Sequence, residues 1–253
     1  MTADEYVLSV IARYQVSTGP GSAVARAGQS LYPIIQQWAN QNLLRVTYSG
    51  SYAKGTAILG GTDVDLFISL SHQTSENLRD IYLKLVRFLT ARGFSPRQQN
   101  VSVGVLISGI SVDLVPGKKQ SGASSDHSLY RRKANTWTQT NVATHISLVQ
   151  NSGRLDEIRA LKIWRQLHGL DFPSIYLELT VIRALSGQQN NQPGANFLKV
   201  LNYLATTFET ARVVDPANSA NIISDDLGAA EKKHIALKAA ASVKKSQWSQ
   251  VIW

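Results

Sequence analysis

Tyr48-Ser49-Gly50-Ser51 and, after a gap of eleven residues, Asp63-Val64-Asp65-Leu66-Phe67-Ile68 make up the stretch on which the reading of the fold turns. Residues 64–70 are rich in Val, Leu, Phe and Ile, the composition of a strand, and in a strand residues two apart point to the same face. Asp63 and Asp65 therefore aim two carboxylates at one spot, while Val64 and Leu66 face a core. Like charges that close are unfavourable unless a cation lies between them. Hard oxygen ligands of this kind suit Mg2+ or Mn2+, which keep several waters and complete their shell from carboxylates and substrate phosphates. Ahead of them, Gly50-Ser51 stands at a turn. Glycine lets the backbone approach closely, and its N–H groups with the Ser51 hydroxyl can hold phosphate oxygens at a helix N-terminus. Alone, a Gly-Ser pair is ordinary turn chemistry and an Asp-x-Asp a solvated strand end. Their order and the strand between them join the two.

Outward from this stretch, residues 45–49 and 101–115 also read as strands, and residues 75–92 as an amphipathic helix closed by Gly93. A third carboxylate, Asp113, sits inside the apolar run Ile110-Ser111-Val112-Asp113-Leu114-Val115-Pro116, an unfavourable place without a purpose. If its strand neighbours that of Asp65, the three aspartates form a two-metal site, one ion lowering the pKa of an attacking hydroxyl and one steadying a leaving pyrophosphate. Before the strands, residues 5–14 and 22–42 read as helices, the second kinked or restarted by Pro33. After Pro116, residues 117–135 read as an exposed basic loop with Lys118, Lys119, Arg131, Arg132 and Lys133. Residues 142–150, 155–168, 174–185, 196–211 and 228–243 have helical periodicity, with Pro173 and Pro193 ahead of two of them. The expected fold is α+β in two lobes. A small mixed-sheet core with the N-terminal helices, 1–135, precedes a helical nucleotide- and substrate-binding domain, 136–253, and the active site lies in the cleft.

Composition narrows the class. The chain has 253 residues, 43% of them hydrophobic, enough for a buried core. No run of 18 or more apolar residues occurs and Met1-Thr2-Ala3-Asp4-Glu5 is acidic and polar, so a membrane partner is not expected and the expected location is cytoplasmic. Zero cysteines remove disulfides, thiolate nucleophiles and cysteine zinc sites, which leaves oxygen or imidazole to hold any metal. Twenty-six Lys and Arg against seventeen Asp and Glu give +9, a balance that favours a polyanionic partner or simply a solubilising surface.

Gly50-Ser51, the eleven-residue gap, Asp63-x-Asp65 and a later strand-borne Asp113 resemble the signature of the DNA polymerase β-like nucleotidyltransferase superfamily. Thr144-His145, Arg159-Ala160-Leu161-Lys162-Ile163-Trp164, Phe172-Pro173-Ser174-Ile175-Tyr176-Leu177-Glu178-Leu179 and Asp215-Pro216-Ala217-Asn218 resemble the branch holding archaeal-type CCA-adding enzymes, oligoadenylate synthases and bacterial cyclic-oligonucleotide synthases (CD-NTase type). The resemblance implies that Asp63, Asp65 and Asp113 are catalytic and bind Mg2+ or Mn2+. It also implies that Gly50 and Ser51 bind the triphosphate, that Lys162 and Ser174 reach its tail from the helical domain, and that Asp113 lies closest to the acceptor hydroxyl.

Two further positions are candidates on the nucleotide side. His145 matches a position near the nucleotide, though a lone His is more often structural. Tyr176 could stack on a base, though Ile175, Leu177 and Leu179 argue for a core place; Lys162 could be a surface lysine and Ser174 a helix cap. Read as ending soon after Asp215-Pro216, where the tRNA-maturing enzymes of the resembled branch continue, the chain is expected to be a synthase of small cyclic or linear oligonucleotide messengers, and the resemblance implies a place in antiviral defence. Its substrates would be ATP or GTP, and the admitted partners include a nucleic-acid activator or acceptor, which Arg131, Arg132 and Lys133 could contact. The alternatives are an RNA-tailing enzyme and a non-catalytic RNA-binding module, the latter disfavoured because three gathered carboxylates repel RNA.

Overall fold

The computed structural model describes residues 1–61 and 63–253. The elements run α1 (Ala3–Arg13), α2 (Ala23–Ala39), β1 (Leu43–Tyr48), α3 (Gly50–Lys54), β2 (Val64–Leu70), α4 (Leu78–Ala91), β3 (Arg97–Gln98), β4 (Val103–Ile107), β5 (Ile110–Lys119), β6 (His127–Arg131) and β7 (Thr136–Thr140). They continue as α5 (Val142–Gln150), α6 (Leu155–Leu167), α7 (Ser174–Ala184), α8 (Pro193–Thr206) and α9 (Ala229–Val243). The class is α+β, as the sequence indicates. Helices start where side chains can satisfy orphan N–H groups: Thr2 and Glu5 form a capping box, and Ser22 and Asn77 each accept from the residue three positions on. Pro33 lies inside α2, which is one helix and does not restart.

Two compact units are resolved. One comprises Ser17–Ala53 and Thr62–Ile146 and is built on a sheet of seven strands among the described residues, with the path β1-β2-β5-β4-β3, β6 joined to β5 and β7 to β6. β2 and β5 run parallel at its centre, while β1 and β4 flank them antiparallel. One face of this sheet, with Val64, Leu66, Ile68 and Leu70 of β2, Val112 and Leu114 of β5, and Val103 and Val105 of β4, is buried with Leu31, Ile35 and Trp38 of α2 and Ile81, Leu85 and Leu89 of α4. Period-two alternation then leaves Asp65, Phe67 and Ser69 on the opposite face.

The other unit comprises Met1–Val16, Lys54–Gly61 and Ser147–Trp253. Its core joins Val7, Val10 and Ile11 of α1 to Ile158, Leu161 and Trp164 of α6, Tyr176 and Leu177 of α7, and Phe197, Val200 and Leu201 of α8. Among the described residues no helix is long and apolar enough to cross a membrane.

Two sequence expectations are corrected. Residues 101–115 are two antiparallel strands, β4 and β5, not one. Ser108 and Gly109 take φ of 49° and 81° and reverse the chain, the two-residue turn with both central φ positive that suits hairpin twist. Residues 117–135 are not one loop either: β5 continues to Lys119, and β6 pairs with β7, so that of the basic residues only Arg132 and Lys133 fall outside strands. Leu129 is buried on this hairpin, while Thr136, Thr138 and Thr140 supply the β-branched side chains that favour a strand without an apolar pattern.

Candidate active site

The condition attached to Asp113 is met, because β2 and β5 are hydrogen-bonded neighbours with Asp65 opposite Asp113 in parallel register. Direct partners in a sheet share a face, so both carboxylates leave the sheet on the side away from the α2 and α4 core. Asp63 stands exposed just ahead of β2, and Asp65 is half-buried. Asp113 is buried; Gln99 Nε2 donates to its Oδ1 at 2.8 Å and Ser102 Oγ to its Oδ2 at 3.2 Å. Burial pushes its pKa above the ordinary aspartate value, and the charge of Asp63 pushes it further. Gln99 and Ser102 carry no signal in the sequence, since they lie outside every motif. Gly104, opposite Asp113 on β4, leaves room for that carboxylate, as a Cβ there would meet Asp113 Oδ1 at 2.9 Å.

The Gly50-Ser51 turn is fitted to Asp65. At the end of β1 the Ser49 N–H donates to the Asp65 carbonyl at 2.8 Å, and the chain turns at once into α3 through Gly50, whose φ is +58°. A Cβ on Gly50 would stand 1.7 Å from Asp65 Oδ2 and 2.5 Å from its Cγ. The carboxylate thus occupies the space a side chain would take, and only glycine permits it. Ser51 follows as the second residue of α3, half-buried.

Among the described residues no group of three or more His, Asp or Glu stands drawn together as a formed metal site. The donor chemistry nevertheless fits a hard divalent ion. The groups are carboxylates, two are sheet partners on one face, and Asp63 and Asp113 repel each other in the absence of a counter-charge. Asp63, Asp65 and Asp113 are the residues that could hold it.

In the same unit His145 is a half-buried residue of α5. The sheet face that carries Asp65 also floors a cavity of about 520 Å³, lined by Arg45 and Tyr48 of β1, Phe67 and Ser69 of β2, Lys119 of β5 and His127 of β6. Register confirms the shared face: Arg45 pairs with Ser69 and Thr47 with Phe67. Ser69 Oγ lies 2.8 Å from His127 Nε2, and the His127 Nδ1 lies 2.9 Å from the Ser125 carbonyl. Burial holds the His127 pKa below the usual histidine value. The neutral ring then donates from Nδ1 and accepts from Ser69 at Nε2.

The remaining candidates lie in the helical unit. Lys162 of α6 is buried, 2% exposed, and its Nζ donates to Glu178 Oε1 at 2.7 Å and to Thr56 Oγ1 at 2.8 Å. It is therefore not a surface lysine. Ser174 opens α7, exposed, and accepts from Arg165 Nη1 at 3.1 Å. Tyr176 is fully buried between Phe172 and Phe208, with ring centroids 5.3 Å and 5.1 Å away. It offers no accessible ring face to a base, which supports the core place its apolar neighbours suggested. Lys54, Thr56 and Glu178 form a polar cluster with Lys162 that the sequence reading did not single out.

Comparison with other proteins supports the fold. No family model matches the chain, and no curated protein matches it. Solved structures do. The CdnC of the E. coli MS115-1 CdnC:HORMA-deltaN complex superposes with a TM-score of 0.76 at 19% identity, over 95% of this chain and 89% of that one. The Elizabethkingia meningoseptica CdnE cyclic dinucleotide synthase, with GTP and Apcpp, gives 0.70 at 12% identity, over 97% and 100%. A cytoplasmic RNA terminal U-transferase gives 0.64 at 12% identity, over 97% and 95%. The chain has the fold these proteins share.

Proposed function

We propose that this protein is a nucleotidyltransferase that moves a nucleoside monophosphate from a nucleoside triphosphate to an acceptor hydroxyl and releases pyrophosphate, and that its products are small cyclic or linear oligonucleotides. The observation that carries the reading is the pairing of Asp65 with Asp113 across β2 and β5, with Asp63 close enough in charge to disfavour Asp113 ionisation and with Gly50 cut away to admit Asp65. Three carboxylates serve no packing purpose, and a binding surface for RNA would be weakened by them. Mg2+ or Mn2+, when bound, supplies charge neutralisation of the phosphates and a lowered pKa for the attacking hydroxyl.

Each residue then has a distinct task. Asp63 and Asp65 would hold the metal and fix the donor phosphates; Asp113, steadied by Gln99 and Ser102, would hold the metal beside the acceptor hydroxyl. Gly50 and Ser51 would bind the triphosphate through backbone N–H groups and the hydroxyl, and Lys162 and Ser174 are proposed to bind it as well. The cavity floored by Phe67, Ser69 and His127 lies on the same sheet face as the aspartates and is of small-molecule size, which favours a nucleotide acceptor. Tyr48, Phe67 and His127 give it ring faces, while Arg45 and Lys119 give it positive charge for a phosphate.

The synthase identity of the Elizabethkingia neighbour supports a messenger product, and the U-transferase neighbour supports transfer to RNA as the runner-up. Incubation of the purified chain with each labelled nucleoside triphosphate and Mg2+, with and without RNA, decides between them. Small labelled products without RNA are expected. Label on RNA alone would establish tailing, and no transfer under any condition, with the fold intact, would remove the enzyme reading.

A further inference from the structure

The sheet unit carries a second cavity, of about 540 Å³, and strand register places it. Lys118 of β5 pairs with Leu70 of β2 and with Ser128 of β6, and Ser128 pairs with Gln139 of β7. Lys118, Ser128 and Gln139, which all line the cavity, therefore form one row across the strands. Sheet partners share a face, and Leu70 belongs to the core formed with α2 and α4, so the row lies on the face away from Asp65 and Asp113. Trp137 stands two residues before Gln139 on that same face. Its strand partner Tyr130 packs against the core, with its ring 5.6 Å from that of Tyr82, whereas Trp137 itself is 56% exposed.

The lining matches a nucleotide group by group. Lys118, Lys119 and the His72 imidazole converge on the cavity, and no Asp or Glu lines it among the described residues. Lys118 Nζ donates to the Glu76 carbonyl at 3.4 Å and Lys119 Nζ to the Gly122 carbonyl at 3.2 Å. These bonds steady both ammoniums, each of which has three N–H groups, and lysine binds phosphate as a point charge. Gln120 Nε2 donates to Ser128 Oγ and to Gln139 Oε1, both at 3.3 Å, so two side-chain amides stand together where a base edge could meet them. Trp137 supplies the ring face. In a strand otherwise made of threonines and a glutamine it adds little to the core when more than half exposed, while an indole face stacks on any base. One indole beside a cluster of cations suits a single base and its phosphate, and the volume falls within the range of roughly 300–1,000 Å³ common for small-molecule sites.

We infer that this cavity is a second nucleotide site, in which Trp137 stacks on the base of a mononucleotide and Lys118, with His72 and Lys119, holds its phosphate. The ligand faces away from Asp65 and Asp113 and binds as an effector, not as donor or acceptor. Lys119, the last residue of β5, also lines the cavity floored by Phe67, so Trp137 and Lys118 are the residues that single out the new site. Neither has a part in the nucleotidyl-transfer reading, and the inference stands without it.

The test is calorimetric titration of the whole chain with AMP, and with adenosine as the probe that lacks phosphate, both without divalent metal. Photocrosslinking of an azido-substituted AMP, with the labelled peptide mapped, tells this cavity from the one floored by Phe67. Label on β7 is expected, and label confined to other elements overturns the site. Trp137→Ala should weaken AMP and adenosine alike by about tenfold, because base stacking is lost, while Trp137→Phe keeps a ring and most of the affinity. Lys118→Gln should weaken AMP by about tenfold and leave adenosine unchanged. Circular dichroism confirms folding of each variant. Wild-type AMP affinity in Trp137→Ala overturns the site, and equal loss of AMP and adenosine in Lys118→Gln overturns the phosphate contact. A short single-stranded oligoadenylate that binds through Trp137 more than about tenfold tighter than AMP overturns the mononucleotide in favour of a strand. A chain that transfers nucleotide without Trp137-dependent AMP binding overturns the second site and leaves the enzyme reading standing. Trp137-dependent binding without any transfer upholds the site and removes the enzyme reading.

Discussion

Gly50→Ala is the smallest change that should disable the proposed active site. Two penalties arise and they can be separated. The first is backbone strain: Gly50 has a φ of +58°, and an L-residue in that region costs about 1–2 kcal/mol. The second is collision, because the new Cβ would lie 1.7 Å from Asp65 Oδ2, a separation no real contact shows, so carboxylate and turn must part by more than about 1 Å. A misplacement of about 1 Å at a reacting centre costs on the order of 100-fold in rate, or about 2.7 kcal/mol of barrier. Gly93→Ala supplies the control, since Gly93 has a φ of +81° and nothing within 4 Å of its Cβ position. Gly93→Ala should lose only the strain share of stability in urea unfolding and Gly50→Ala more than that, with only Gly50→Ala losing kcat/KM by about 100-fold or more. Turnover in Gly50→Ala matching that of Gly93→Ala, measured with Mg2+ in excess, would refute the argument that the Asp65 carboxylate must lie where it does.

Other outcomes follow from the same geometry. Asp63→Asn, Asp65→Asn and Asp113→Asn should each lower nucleotide transfer by about a thousandfold or more with circular dichroism unchanged, because phosphoryl transfer depends on charge placement; retained turnover in any of the three would mean the site is misidentified. The Asp113 pKa is raised in the fold, so its ionisation opposes folding: the penalty is absent below the ordinary value of 3.8 and grows as pH rises through the raised one. Asp113→Asn should therefore be more stable than wild type at neutral pH, with the gap closing as denaturation is measured toward pH 4; a gap independent of pH would remove the electrostatic account. Tyr176→Phe should leave the KM for nucleotide unchanged and raise stability by about 1 kcal/mol, because the buried hydroxyl has no partner among the described residues and burial pushes its pKa up to about 12; a raised KM would return this ring to the nucleotide site. Binding of RNA or another polyanion should fall steeply with salt, and an Arg131→Ala/Arg132→Ala/Lys133→Ala variant should flatten that slope. An unchanged slope would show that these residues face no phosphate.

What could be read from the sequence was local. β2 was found at its actual bounds because Val64, Leu66, Ile68 and Leu70 share one face, α4 followed from apolar spacing closed by Gly93, and α5 from spacing alone. What escaped had no local apolar signature. β7 alternates threonines with Trp137 and Gln139, so its pairing with β6 was hidden behind polar residues; β6 fell within the segment 117–135 read as loop, and residues 136–140 were assigned no element. The turn at Ser108-Gly109 was missed because a two-residue reversal inside a long apolar run barely disturbs periodicity. Placement of the segment Lys54–Gly61 with the helical unit was hidden for a related reason. It is fastened by polar bonds to residues some hundred positions away, such as Arg159 to the Gly55 carbonyl, which leave no periodic trace.

The same distinction explains why the aspartates were easier to find than the lysines. A carboxylate in an apolar strand stands out against its own neighbours, so Asp65 and Asp113 announce themselves once the strands are recognised, and the register only brings them together. A lysine in an amphipathic helix has no such contrast: Lys162 could equally have faced solvent, and nothing near it in sequence reveals Glu178, sixteen positions on, or Thr56, more than a hundred back. Lys54 is fainter still, since it closes the short helix that Gly50 and Ser51 open and looks like an ordinary C-terminal cation. Its burial against Glu178 is a property of the tertiary fold alone. Conversely, Tyr176 attracted attention as an aromatic beside Ser174, yet its helical spacing with Leu179 and Thr180 already placed it on the face that meets Phe172 and Phe208. Chemistry that contrasts with its local pattern is therefore readable from the chain, whereas chemistry that conforms to that pattern requires the fold.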